Sequence, residues 1–144
     1  MMCSIVSGTT CHQGLQIQQL VCACEQRTLQ IRASFHGTDS LCLLCKQVPE
    51  TIEHFLLSCQ ELQIVRNYHM QQLYEAVVHC YSEAVWKNIQ DQELTVQLIM
   101  DCTADGIFPT PPSCVQLGKL ESASRRYCYA LHWLRKRLTD ENGL

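Results

Sequence analysis

Residues 40 to 62 read SLCLLCKQVPETIEHFLLSCQEL and place Cys42, Cys45, His54 and Cys59 at the spacing Cys-x2-Cys-x8-His-x4-Cys. A Cys-x2-Cys pair lets two sulfurs converge from one tight turn. A histidine and a third cysteine then complete a Cys3His set, a common closed structural zinc site with tetrahedral geometry. Pro49 fixes a turn between the halves, and Glu50-Thr51 can open a short helix whose acidic first turn suits the dipole. On that helix Ile52, Phe55 and Leu56 face inward near His54. In a continuous α-helix, however, positions five apart stand about 140° from a common face, so the helix has to end or loosen near Ser58 for His54 and Cys59 to share a ligand.

Three other readings of the cluster compete. The four residues could be incidental packing in a chain with eleven cysteines. They could include a disulfide, but an odd cysteine count in a chain of this length argues for a reducing compartment. They could hold a catalytic Cys–His pair, yet the sequence offers no third group that orients the histidine in a recognisable arrangement. The His-x-Glu and Pro-Cys-x-x-Cys elements of zinc deaminases are absent. Cys3, Cys11, Cys80, Cys102, Cys114 and Cys128 read as small buried apolar residues. Cys22 and Cys24 with His36 form a weaker candidate half-site for a second metal, and His69, His79 and His132 read as packing or surface histidines.

A chain of 144 residues is the size of one domain, and 47% hydrophobic with 17% charged residues suits a folded chain. The first 24 residues carry no charge, but polar residues interrupt them throughout, leaving neither a signal-peptide core nor about 20 apolar residues in a row. The expected location is intracellular, nucleus or cytoplasm undistinguished, with no membrane partner.

The helical patterns imply a mainly α fold, a small knuckle followed by amphipathic helices. Residues 1–34 form a Gln-rich N-terminal segment read weakly as helix from Leu15, and 35–62 form the knuckle. In 63–102, ELQIVRNYHMQQLYEAVVHCYSEAVW reads as one long helix with Leu62, Val65, His69, Leu73, Ala76 and Cys80 on its apolar stripe, and DQELTVQLIMDC as a second with Leu94, Leu98, Ile99 and Cys102. Residues 103–117 form a connector stiffened by Pro109, Pro111 and Pro112. The last helix, 118–144, begins near Gly118 and repeats Leu120, Ala123, Tyr127, Leu131, Leu134 and Leu138.

The string CLLCKQVPETIEHFLLSC resembles the zinc-binding domain found C-terminal to the reverse transcriptase of non-LTR (LINE-like) retrotransposons. In that family a Cys-x2-Cys, a Glu-Thr before a helical His, and a Cys after leucines recur together. TLQIRASF upstream and RRYCYALHWLRKRL downstream are similar to its flanks, so the resemblance covers roughly 28–138. It implies zinc ligation by Cys42, Cys45, His54 and Cys59 and engagement of an RNA template or target DNA. This chain carries Leu43 and Gln60 where the family commonly has proline, and neither is a ligand. It lacks a reverse transcriptase Asp-Asp box and an endonuclease signature, so it looks like a detached C-terminal piece, with a reverse transcriptase region of the parent polyprotein as a further expected partner.

The net charge of −3 hides a gradient: nine acids against two bases from Glu50 to Asp105, then six bases against one acid from Lys119 to Arg137. At about 100° per residue, Arg125, Arg126, Tyr129, Trp133, Lys136 and Arg137 share one side of the last helix, and Arg125–Lys136 and Arg126–Arg137 are each aligned about 16 Å apart. Such a face can contact phosphates and stack on bases of RNA or single-stranded DNA. In the competing view it is a solvated face with Tyr129 and Trp133 buried, and the acidic middle of the chain opposes a phosphate backbone. The reading is a non-enzymatic zinc-binding domain that binds nucleic acid, with structural Zn2+, no catalytic residue and no small-molecule substrate. The alternative is a zinc-stabilised helical protein-interaction module or a decayed retroelement remnant.

Overall fold

A computed structural model describes residues 41–143. The N-terminal segment, with Cys3, Cys11, Cys22, Cys24 and His36, lies outside the described residues. Among the described residues there is no strand, only the isolated antiparallel bridge Leu41–Pro49 that closes the knuckle. A π-helical turn, His54–Ser58, and a 3-10 turn, Gln60–Leu62, lead into α1 (Gln63–Cys80), α2 (Glu83–Ile89), α3 (Gln92–Met100) and α4 (Cys114–Glu141). The mainly α expectation holds, with the Cys/His cluster ahead of the helices.

The core is the antiparallel pair α1 and α4. Leu62, Leu73 and Val77 meet Leu120, Tyr127 and Leu131, all with essentially no exposure, and Leu98 and Ile99 of α3 close one side. Two bonds join the C-terminal end of α1 to the first turn of α4: Gln116 Nε2 donates to the Cys80 carbonyl at 2.7 Å, and Cys80 Sγ to the Gln116 carbonyl at 3.9 Å. On the other flank Ser124 Oγ donates to the Leu98 carbonyl at 3.3 Å. Leu98→Ala should therefore cost about 2–5 kcal/mol, the range for emptying a close-packed site. Urea unfolding that moves by under about 1 kcal/mol would mean that α3 is not part of the cooperative core.

Two boundaries differ from the sequence reading. The long helix stops at Cys80, and Ser82 caps a separate α2, its hydroxyl accepting from the Val85 N–H at 3.3 Å. Serine competes for backbone hydrogen bonds inside a helix and favours its start. The ring of Tyr81 stacks on Phe108 with centroids 4.5 Å apart, and its hydroxyl donates to the Thr110 carbonyl at 2.7 Å, so the break anchors the proline connector. The last helix begins at Cys114, four residues before Gly118. Ser113 and Gln116 form a reciprocal capping box, Gln116 N–H to Ser113 Oγ at 3.2 Å and Ser113 N–H to Gln116 Oε1 at 2.9 Å. Cys102 and Cys128 are buried and Cys80 half-buried as expected. Cys114 is exposed, contrary to expectation, because as the first residue of α4 it projects from a helix end.

No helix among the described residues is long and apolar enough to cross a membrane.

Candidate metal centre

The knuckle is a backbone construction. The Cys42 N–H donates to the Val48 carbonyl and the Lys46 N–H to the Cys42 carbonyl, both at 2.8 Å, folding the chain so that Cys42 and Cys45 point the same way. The turn requires a left-handed residue, and Lys46 supplies it at φ 57°. A side chain there costs of order 1 kcal/mol or more, so the surrounding bonds have to hold it.

Thr51 then opens a short helix, its hydroxyl accepting from the His54 N–H at 3.1 Å. The next turn widens: the Cys59 N–H donates to the His54 carbonyl, five residues back, at 2.8 Å. A π-turn of this kind is rare and concentrates at functional sites. Here it removes the angular mismatch between His54 and Cys59 by bringing residue i+5 over residue i. Cys59 itself leaves the helix at φ −59°, ψ 121°, and α1 follows after one 3-10 turn.

The four donor atoms lie within 4.8 Å of one another. Cys42 and Cys59 sulfurs are 3.9 Å apart, and Cys45 Sγ is 3.3 Å from His54 Nε2. The other imidazole nitrogen, Nδ1, is 3.1 Å from Ser58 Oγ, a contact that fixes the ring with Nε2 toward the sulfurs. Cys42 and Cys59 are buried, His54 nearly so, and Cys45 partly open.

The electrostatics of the cluster favour a cation at its centre. Burial pushes the Cys59 thiol up to about 12, and the neighbouring Cys42 and Cys45 sulfurs add to the rise. Burial also works against ionisation of Cys45, but backbone N–H groups of Gln47 and Val48 and the Cys42 and Cys59 thiols outweigh it and hold Cys45 below the usual thiol value. Burial, with repulsion from Arg66, keeps His54 neutral and ready to donate a lone pair. Three sulfurs and a neutral imidazole converge on one point, a donor set suited to a tetrahedral metal ion.

Behind the cluster, side chains from α1 and α4 hold the π-turn by its carbonyls. Arg66 Nε donates to the Leu56 carbonyl at 3.0 Å and Nη2 to that of Phe55 at 3.4 Å, while the Tyr127 hydroxyl donates to Leu56 at 2.6 Å. Burial raises the Tyr127 phenol and lowers the Arg66 guanidinium from their ordinary values. Glu50, expected to serve the helix dipole, is instead ion-paired with Arg135 of α4. Sequence reading missed Arg66 and Arg135 as knuckle anchors. Arg66 falls between the apolar positions of Leu62, Leu73 and Val77 on a helical wheel, and Arg135 beside those of Leu131 and Leu138, a signal that both are buried and need partners.

The basic and aromatic residues assigned to one side of the last helix lie outside the core, whereas Arg135 and Tyr127 of the same helix are buried. Arg126, Lys136 and Arg137 are exposed, Arg125 and Tyr129 half-buried. Trp133 is 56% exposed, unlike the buried tryptophan of the competing view. Lys136 Nζ sits 5.1 Å from its ring centroid. His69 and His132 are half-buried and His79 is exposed beside Lys119. Comparison with protein families, with curated proteins and with solved structures finds no match for this chain.

Proposed function

We propose that the chain is a non-enzymatic, zinc-stapled domain that binds nucleic acid through α4, akin to the zinc-binding domain that follows the reverse transcriptase of non-LTR retrotransposons. The observation that carries it is the convergence of Cys42, Cys45, His54 and Cys59. In tetrahedral zinc, Zn–S and Zn–N bond lengths set edges of about 3.8 Å between sulfurs and about 3.6 Å between sulfur and nitrogen. The distances of 3.9 and 3.3 Å lie within a few tenths of an ångström of those values, and all four donor atoms lie within 4.8 Å of one another. Four protein ligands fill a tetrahedral zinc, leaving no position for a reactive water, so the metal's role in this reading is to hold the fold.

Nucleic-acid binding rests on α4, where exposed cations share a side with Trp133. Metal analysis of the purified protein should find one zinc per chain. A gel shift with single-stranded RNA or DNA should weaken steeply with salt, and replacing Arg125, Arg126, Lys136 and Arg137 together by Ala should lower affinity at least about tenfold. Binding that survives the fourfold change would remove α4 from this role.

One observation favours the protein-interaction reading. Ile64 is 88% and Tyr68 63% exposed one turn apart on α1, a spacing suited to helix-mediated contact. In that case Ile64→Asp and Tyr68→Asp would abolish association while nucleic-acid affinity stayed the same.

A further inference from the structure

Between α1 and α4 runs an open groove of about 710 Å³, lined by Gln72, Ala76 and His79 on one wall and Gly118, Lys119, Ala123 and Arg126 among others on the opposite wall. Ala76, Gly118 and Ala123 are the small residues of its lining and leave the space open. Its cations are Lys119 and Arg126. Lys119 Nζ lies 2.8 Å from His79 Nε2, so the imidazole holds the ammonium at the groove wall. Arg126 Nη2 donates to Ser122 Oγ at 2.7 Å, which orients the guanidinium. Among the described residues Glu75 is the carboxylate lining the groove, and Gln71 Nε2 bonds it at 3.2 Å.

The cations continue in a line. Lys119, Arg126 and Trp133 are seven residues apart, so each step advances about 10.5 Å along the helix with only about 20° of drift. Arg137 completes the row one turn later. An exposed indole thus stands between Arg126 and Arg137, with Lys136 over its ring at 5.1 Å. A duplex presents phosphates but keeps its bases stacked away from such a ring, whereas an unpaired strand offers both phosphates and base faces.

We infer that this groove and its extension along α4 form a binding track for single-stranded nucleic acid, in which Lys119 and Arg126 hold backbone phosphates and Trp133 stacks a base. The inference rests on the nucleic-acid reading above and adds a location, the groove between α1 and α4, and the residues Lys119 and His79, which the sequence pattern did not single out for this role.

The test uses the zinc-loaded full chain and labelled probes of about 20 nucleotides, as single-stranded RNA, single-stranded DNA and duplex DNA, followed by anisotropy across a salt series. Both single strands, or one of them, should bind more tightly than the duplex, and the preferred one names the natural source. Lys119→Gln with Arg126→Gln should make the slope of log affinity against log salt shallower by about 1.4, two single-strand phosphate contacts. Trp133→Ala should cost about fivefold or more in affinity without changing that slope. All three side chains are in exposed or groove positions, and unchanged circular dichroism will show that the variants fold. No binding by the unmodified chain overturns both the inference and the nucleic-acid reading. Tight binding with an unchanged slope in the double variant, or duplex preferred over both single strands, overturns the track alone.

Discussion

Removing metal from the proposed Cys3His centre should unfold residues 41–62 and loosen the helices packed against them. Structural zinc in small sites contributes about 10–16 kcal/mol, comparable to or larger than the whole stability of an ordinary domain. The three sulfurs and the imidazole nitrogen lie within 4.8 Å of one another, and beyond them the left-handed turn at Lys46 rests on two backbone bonds and the Leu41–Pro49 bridge. The effect spreads because the π-turn carbonyls are the partners of Arg66 and Tyr127. Once the turn leaves, Arg66 and Tyr127 lose the carbonyls to which they donate, at about 1–3 kcal/mol each. Excess chelator, Cys42→Ser or His54→Ala should therefore reduce far-UV helicity and lower the unfolding midpoint by more than about 15 °C. Acid should do the same. The folded-state value of His54 is depressed below 6.5, so its contribution is intact above that pH and is lost as pH falls through the folded value, while protons displace metal from the thiolates. A chain shown to be metal-free that unfolds at an unchanged midpoint would refute the structural role.

The second large effect is expected at Glu50 and Arg135. Their side chains are only 3% and 7% exposed and come from positions 85 apart in sequence. Removing one member of a buried pair takes away the other's counter-charge, at about 3–5 kcal/mol. Glu50→Gln should lose that much in urea unfolding, and Arg135→Met a similar amount. The two together should lose much less than the sum, since the double variant leaves no unpaired charge. Additive losses would show that the pair does not couple the knuckle to α4. The same cycle on the exposed pair Lys87–Glu83, 3.8 Å apart, should give well under about 1 kcal/mol.

Much of this architecture is legible in the residues because local rules and tertiary packing agree. The ligand spacing brings Cys42, Cys45, His54 and Cys59 together, and the five-residue gap from His54 to Cys59 demands the loosened turn that the structure supplies as a π-turn. The apolar repeat from Leu120 to Leu138 lies along α4. The errors fall where hydrophobic period was followed past a capping signal. Tyr81-Ser82 interrupts a pattern that continues smoothly into Val85 and Trp86, and Ser113-x-x-Gln116 starts α4 a turn before its apolar stripe begins. Buried charge was the other blind spot. Arg135 was counted in a basic run, yet its helical position sets it apart from the solvated bases, and its partner Glu50 lies in a different element. Only the folded chain brings them together.

The Leu56 carbonyl accepts from two donors of very different origin, Arg66 at a separation of 10 residues and Tyr127 at 71. Loop-closure entropy makes the distant contact about 1.7 kcal/mol more expensive to form. The order of assembly follows from this difference. As the chain emerges from a ribosome, the knuckle and α1 can capture a metal and engage Arg66 before α4 has been synthesised. In the zinc-stapled reading proposed above, the last helix would then dock onto a site already closed, and the metal would be a template for folding rather than a late addition to a finished protein.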